Sequence, residues 1–165
     1  MNNNSVKLLA TLVAMAMPSL VQAAGVSDDV VKIGVLTDMS GVYADVGGKG
    51  AVLAAQMAVK DFGGKVLNKR VEVIADDHKN DVDTGLAIAK RWFEKDRTKV
   101  DMVVELMNSQ VATAVAKYAA EQKRIAIKTG AATSALTNED CTRYTLDWVY
   151  DSYAISHGTL RELMA

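Results

Sequence analysis

Cysteine and proline each occur once in this sequence, at Cys141 and Pro18, and histidine only twice, at His78 and His157. Two histidines far apart in the chain form no paired metal-histidine motif, and no Gly-x-Ser-x-Gly elbow precedes them as in a serine hydrolase. A lone cysteine needs an electropositive site to become a nucleophile, and no neighbouring segment supplies one. Cys141 is read instead as a buried thiol or as half of a bridge to a partner elsewhere. The near absence of proline, with 11 glycines, fits an α/β protein better than a loop-rich one. Charge of one sign is also lacking. A formal net charge of −1 gives no sign of a nucleic-acid surface or a polybasic membrane patch. Half the residues are apolar, enough for one domain with a proper core.

No apolar run is long enough to span a bilayer. The longest, Leu8 to Met17, is interrupted only by Thr11, follows the charge of Lys7, and is broken by Pro18-Ser19. Val21-Gln22-Ala23 then supplies a small-residue cleavage signal. Positive start, short apolar stretch and small residues in that order are a secretory signal peptide, residues 1–23, cut after Ala23. An uncleaved anchor is the alternative, and it would need about twenty apolar residues.

Beyond residue 23 the pattern alternates. Val31–Thr37 is a branched-residue run of the kind found in buried strands. Ala51, Ala55, Ala58, Val59 and Phe62 recur at helical spacing, and Gly63-Gly64 stops that helix. A second strand is expected over Arg70–Ala75. A second helix follows over Asp81–Asp96, with Leu86, Ala89, Trp92 and Phe93 as its apolar stripe. Val100–Leu106, Ser109–Gln122 and Arg124–Lys128 continue as strand, helix and strand. A short element near Ser134–Thr137, a strand over Tyr144–Val149 and a helix over Asp151–Met164 complete the chain. Strands alternating with helices imply right-handed βαβ units on a parallel sheet. Ligands on such sheets gather at the carboxyl ends of the strands. That rule nominates 38–48, 76–83, 107–110 and 129–134.

Within these loops, Gly47-Gly48-Lys49-Gly50 lacks both the nucleotide-loop ending and the dinucleotide spacing, and also fits a helix packed closely on a sheet. Asp76-Asp77-His78 with Asn80, Asp81 and Asp83 has hard-cation chemistry without calcium or zinc spacing. A solvated loop whose Asp81 or Asp83 caps a helix explains it. Asn108-Ser109 and Ala131-Ala132-Thr133-Ser134 combine small side chains, hydroxyls and free N–H groups at helix starts, which suits a carboxylate. The competing reading is that Ser109 and Ser134 are ordinary caps. Tyr43, Trp148, Tyr150 and Tyr153 fall in or near the loops, where tyrosine packs an apolar body and bonds a polar end.

Val31-Lys-Ile-Gly-Val-Leu-Thr-Asp-Met-Ser-Gly41, Val59-Lys-Asp-Phe-Gly-Gly64, Asp76-Asp-His-Lys-Asn80, Gly130-Ala-Ala-Thr-Ser-Ala-Leu-Thr137 and Trp148-Val-Tyr-Asp151 together resemble branched-chain amino-acid-type solute-binding proteins of ABC importers. The resemblance runs in order through essentially all of the chain after residue 23. It implies a Rossmann-like, parallel-sheet α/β lobe of the type I periplasmic binding fold, residues 24–165, with a second lobe lying beyond this sequence. By the same resemblance Asn108 and Ser109 contact a ligand's polar head. Ala131, Ala132 and Thr133 form the turn that holds a carboxylate, and Tyr43 and Tyr150 approach the cleft more loosely. The implied role is non-enzymatic capture in the periplasm of an amino acid, amide or aromatic carboxylate, by a monomer that delivers to an inner-membrane permease. No cofactor, metal or nucleic acid is implied. A sensory module on the same fold is the alternative, and an exported α/β enzyme is the third. Met107-Asn108-Ser109-Gln110 departs from the serine-rich segment of leucine-type binders, which leaves the solute open. A lone lobe is expected to be weakly stable and to bind poorly.

Overall fold

A computed structural model describes residues 29–94 and 99–164 of the chain. The expected signal peptide, residues 1–23, lies outside the described residues. Strand β1 (Val30–Thr37) is followed by helix α1 (Gly48–Asp61), a short β2 (Lys65–Val66), β3 (Lys69–Asp77) and α2 (Val82–Glu94). Then come β4 (Met102–Glu105), α3 (Ser109–Glu121), β5 (Ile125–Lys128), a 3-10 turn (Ala135–Thr137), β6 (Thr145–Asp147) and α4 (Ser152–Leu163). The expected alternation is present throughout. The expected end of α2 at Asp96 falls outside the described residues.

The strands form one sheet in the order β2-β3-β1-β4-β5-β6. All neighbours are parallel except β2, which pairs antiparallel with β3. This is the mostly parallel α/β sheet that the resemblance led one to expect. The β2–β3 hairpin was not anticipated. Its two-residue turn, Leu67-Asn68, has φ of 50° and 63° at both positions, the geometry of a tight hairpin, but lacks the Asn-Gly or Asp-Gly pair that usually announces one.

Helix α1 stops as its glycines predict. Gly64 N donates to Val59 O at 2.8 Å and Gly63 N to Lys60 O at 3.0 Å, the paired bonds of a glycine-terminated helix. Its expected apolar stripe is only partly seated. Ala51, Ala55 and Val59 are half-buried, whereas Ala58 is exposed and Phe62 is 72% exposed. The core lies instead between the sheet and the α2/α3 pair, where Ile88, Ala89, Trp92, Phe93, Val111, Val115 and Ala119 surround Leu36 and Val103. Gly34 in β1 makes room for this packing: a Cβ there would lie 2.5 Å from the Trp92 ring.

Strand order reverses on either side of β1. The right-handed crossover β1-α1-β3 runs one way and β3-α2-β4 returns the other, so α1 and α2 lie on opposite faces. The loops leaving β1 and β4 therefore part from each other, opening a crevice at their carboxyl ends.

Candidate functional site

The carboxyl ends of the strands carry groups that ordinarily avoid burial. Thr37, Asp38, His78 and Lys128 are fully buried, and Glu105 nearly so. Each has a local reason. The Asp38 carboxylate accepts from the backbone N–H groups of Gly41 at 2.7 Å and Tyr43 at 3.0 Å, folding the loop after β1 back on itself. Lys128 Nζ lies 2.7 Å from Asp147 Oδ2, an ion pair joining β5 to β6 without an aligned hydrogen bond. Glu105 accepts from the Thr129 hydroxyl. It stands where a Cβ on Gly47 would come within 2.6 Å of its Oε1, so Gly47 is small because Glu105 approaches it. A carboxylate facing this glycine loop argues against phosphate there, and close packing is the reading that the geometry favours. Glu105 and Leu106 also carry φ of 84° and 54°, backbone that non-glycine residues adopt at a cost, at the end of the central strand.

The acidic segment at the end of β3 and just beyond it is consumed internally. Asp76 pairs with Arg91. Asp77 accepts from Ser40 Oγ at 2.6 Å and from Met39 N at 2.9 Å. Burial pushes the Asp77 carboxyl up, but those bonds, the Lys79 N–H and the neighbouring His78 outweigh it and hold the group below the usual carboxylate range. Asp81 caps α2 through Thr84 N at 2.7 Å. Among the described residues no group of three or more such side chains is placed to hold a metal.

An open groove of about 620 Å³ lies alongside α3, next to the turn after β5. Ser109, Gln110, Thr113 and Lys117 line it from the helix, Val82 from the start of α2 and Thr133 from the turn. Positions 109, 113 and 117 share one helical face, a polar stripe on an otherwise apolar helix. Lys117 Nζ pairs with Asp140 at 2.7 Å, tying the helix to the loop after the 3-10 turn. Three hydroxyls, one amide and a cation around an apolar patch, beside a helix N-terminus, can hold a small anionic organic molecule.

Of the residues nominated from sequence, Ser109 and Thr133 meet in this groove. Tyr43, Asn108, Ala131, Ala132 and Tyr150 do not line it. Asn108 is spent as the cap of α3: its Oδ1 accepts from Gln110 N at 2.8 Å and Val111 N at 2.9 Å. Ala131 is buried, and the Ala132 carbonyl accepts from Ser152 N at 2.7 Å. Tyr43 and Tyr150 are exposed. Gln110 was nominated only as the end of the 107–110 loop, and Thr113 and Lys117 were missed, although their helical spacing was legible. Cys141 is exposed and unbridged among the described residues, not the buried thiol that was one of its expected states.

The pattern of the periplasmic binding protein family matches residues 30–165. The chain belongs to that family. Among solved structures, a periplasmic binding protein from Burkholderia mallei is 44% identical with a TM-score of 0.79, over 82% of this chain and 36% of its own. A branched chain amino acid ABC transporter periplasmic ligand-binding protein from Burkholderia xenovorans is 36% identical with a TM-score of 0.76, over 81% of this chain and 35% of its own. An ABC transporter solute binding protein from Rhodopseudomonas palustris, solved with 3,4-dihydroxy benzoic acid, is 25% identical with a TM-score of 0.67, over 79% of this chain and 37% of its own. The chain thus spans little more than a third of the solved relatives it matches. None of the curated proteins matches it. The family and these neighbours are binding proteins, and their class is that of periplasmic components of ABC transporters.

Proposed function

We propose that this chain is the solute-capturing lobe of an ABC importer's periplasmic binding protein, taking an amino acid, an amide or an aromatic carboxylate. The observation that carries this reading is the groove at the N-terminus of α3, where Ser109 and Thr133 converge from two different strand ends. The partial positive charge of the helix start and the hydroxyls beside it favour a carboxylate, and Val82 and Ala114 offer an apolar strip for the rest of the solute. Solved relatives binding 3,4-dihydroxy benzoic acid and belonging to the branched-chain amino-acid class support that range of solutes.

In this reading residues 1–23 direct export and are removed, and 24–165 form the lobe. The protein acts in the periplasm as a monomer, without catalysis, and hands solute to an inner-membrane permease. Ser109 and Thr133 contact the carboxylate, and Ala131 and Ala132 shape the turn that presents Thr133. Asn108 sets the helix start, and Tyr43 and Tyr150 lie on the rim of the cleft. Closure of a facing lobe over the groove is the transport-competent event.

Titration of the labelled chain with isoleucine and with 3,4-dihydroxybenzoic acid, followed by amide NMR shifts, tests the reading even when affinity is weak. The expected result is saturable shifts concentrated at Ser109, Gln110 and Thr133. Shifts absent for both probes at millimolar concentration, or clustered elsewhere, would sink it.

A further inference from the structure

His78 is fully buried, and its two ring nitrogens are treated differently by the fold. Nδ1 accepts from the Asn80 backbone N–H at 3.0 Å, which requires that nitrogen to be unprotonated. The proton of the neutral ring therefore sits on Nε2, which has no hydrogen-bond partner among the described residues. The bond to Asn80 holds a turn that needs holding. Lys79 and Asn80 both have left-handed backbone, with φ of 54° and 57°, a conformation unfavourable to residues with a Cβ. Three ties maintain it: Lys79 N to Asp77 Oδ1 at 2.7 Å, Asn80 N to the His78 ring, and Asp81 N to His78 O at 2.9 Å.

That turn reaches the groove through two amides. Asn80 Oδ1 accepts from Asn108 Nδ2 at 2.6 Å. This leaves Asn108 Oδ1 facing the helix, where it accepts from Gln110 N and Val111 N. Ser109 and Gln110, the first residues of α3, line the groove directly. A continuous chain of hydrogen bonds thus runs from the imidazole to the helix start.

We propose that His78 is a positioning residue for the groove: its neutral ring, acting through Asn80 and Asn108, sets the N-terminus of α3, and protonation releases it. A proton on Nδ1 would face the Asn80 N–H, donor against donor, and remove one tie of the left-handed turn. Asn80 would then lose the orientation that fixes the Asn108 amide. The charged groups acting on the ring are the Asp38 and Asp77 carboxylates, which favour the protonated form. From α2, a Cβ on Gly85 would lie 3.4 Å from the His78 Cβ and 2.7 Å from Val111 of α3, and neither residue titrates. Burial outweighs the carboxylates, holding the imidazole below its ordinary 6.5. Neutral conditions therefore keep the relay intact, and acid opens it.

The inference rests on the proposed solute groove only for its consequence, because the relay itself is read without solute. The experiment is a nitrogen-15 NMR titration of the chain from about pH 7.5 to about pH 4.5, with His78 ring shifts and amide exchange recorded together. The expected result is an Nε2–H tautomer at the start. Protection at Gln110 and Val111 then falls about tenfold with the midpoint of the ring, while Val103 and Ala126 in β4 and β5 keep theirs. In His78→Asn, whose side-chain oxygen can accept from Asn80 N without ionising, protection at α3 is expected to persist and lose its pH dependence.

An Nδ1–H tautomer, α3 amides that ignore the ring's titration, or loss of protection in every element at once would overturn the proposal. So would an unchanged pH response in His78→Asn. If that variant does not fold, the wild-type titration decides alone. Repeating it with 3,4-dihydroxybenzoic acid separates the two readings. Coupled ring and helix without any solute shift fails the groove and keeps the relay, and pH-independent solute binding does the reverse.

Discussion

The two faces of the sheet carry helices of similar composition and very different burial. On one, α2 and α3 bury ten residues between them, including Trp92 at 3% exposure. On the other, α1 buries only Gly48, leaving Leu53 at 57% exposure and Met57 beside it. At the end of the chain α4 buries nothing, although Tyr153, Ile155, Leu160 and Leu163 are apolar. The apolar content of a helix states its capacity to bury surface. Neighbouring elements decide whether that capacity is used.

The sharpest way to break this contrast is to truncate one side chain on each face. Trp92→Ala is expected to cost about 3–5 kcal/mol by the loss of a packed core ring. Leu53→Ala on α1 should change stability by less than about 0.5 kcal/mol, as for other exposed positions. Urea melts of both variants give the comparison directly, and equal losses would show that α1 is packed as tightly as α2.

A smaller loss is expected from adding atoms to the crowded face. Gly34→Ala would place a methyl 2.5 Å from the Trp92 ring, within a core that has no room to move. About 1–3 kcal/mol is expected for such overpacking. The same measurement on Gly50→Ala, where nothing lies within 4 Å, should show no loss.

The caps of α3 and α4 make the finest comparison, because both are well formed. Asn108 caps the packed helix and Asp151 caps the exposed one, its Oδ1 accepting from Ala154 N at 2.8 Å. Replacing either by Ala removes about 1 kcal/mol of helix stability. For Asn108→Ala the loss should appear in the global melt. For Asp151→Ala it should appear only as faster amide exchange within α4, since that helix contributes no buried residue to the fold.

Acid should weaken the packed side too. His78 is held below its ordinary 6.5, so the unfolded chain takes up the proton first as pH falls. The stability from the neutral ring is complete above 6.5 and is lost as pH drops through the lowered value. Thermal melts across that window in wild type and His78→Asn check the sign, with the variant expected to show the flatter profile.

Much of this was legible in residue order. The βαβ alternation, the Gly63-Gly64 stop and the Trp92-Phe93 stripe follow from periodicity and backbone sterics, which are local. The hairpin turn at Leu67-Asn68 was not, because a left-handed leucine has no sequence signature. In the candidate site, Ser109 and Thr133 were nominated as members of two separate loops. Their meeting, and the inward commitment of Asn108, depend on how the ends of β4 and β5 lie side by side. Thr113 and Lys117 required knowing which face of α3 the core would take.

By itself the sequence determined most of the elements and their alternation, since hydrophobic period and glycine placement act over a few residues at a time, and motifs in residue order carried the family resemblance. Only the tertiary structure decided which helices would be covered, which polar groups would be spent on one another, and that His78 reaches the Gln110 N–H through Asn80 and Asn108. Those outcomes turn on contacts between residues about thirty positions apart, where burial and hydrogen-bond partners are assigned by the packing of the sheet rather than by any local preference.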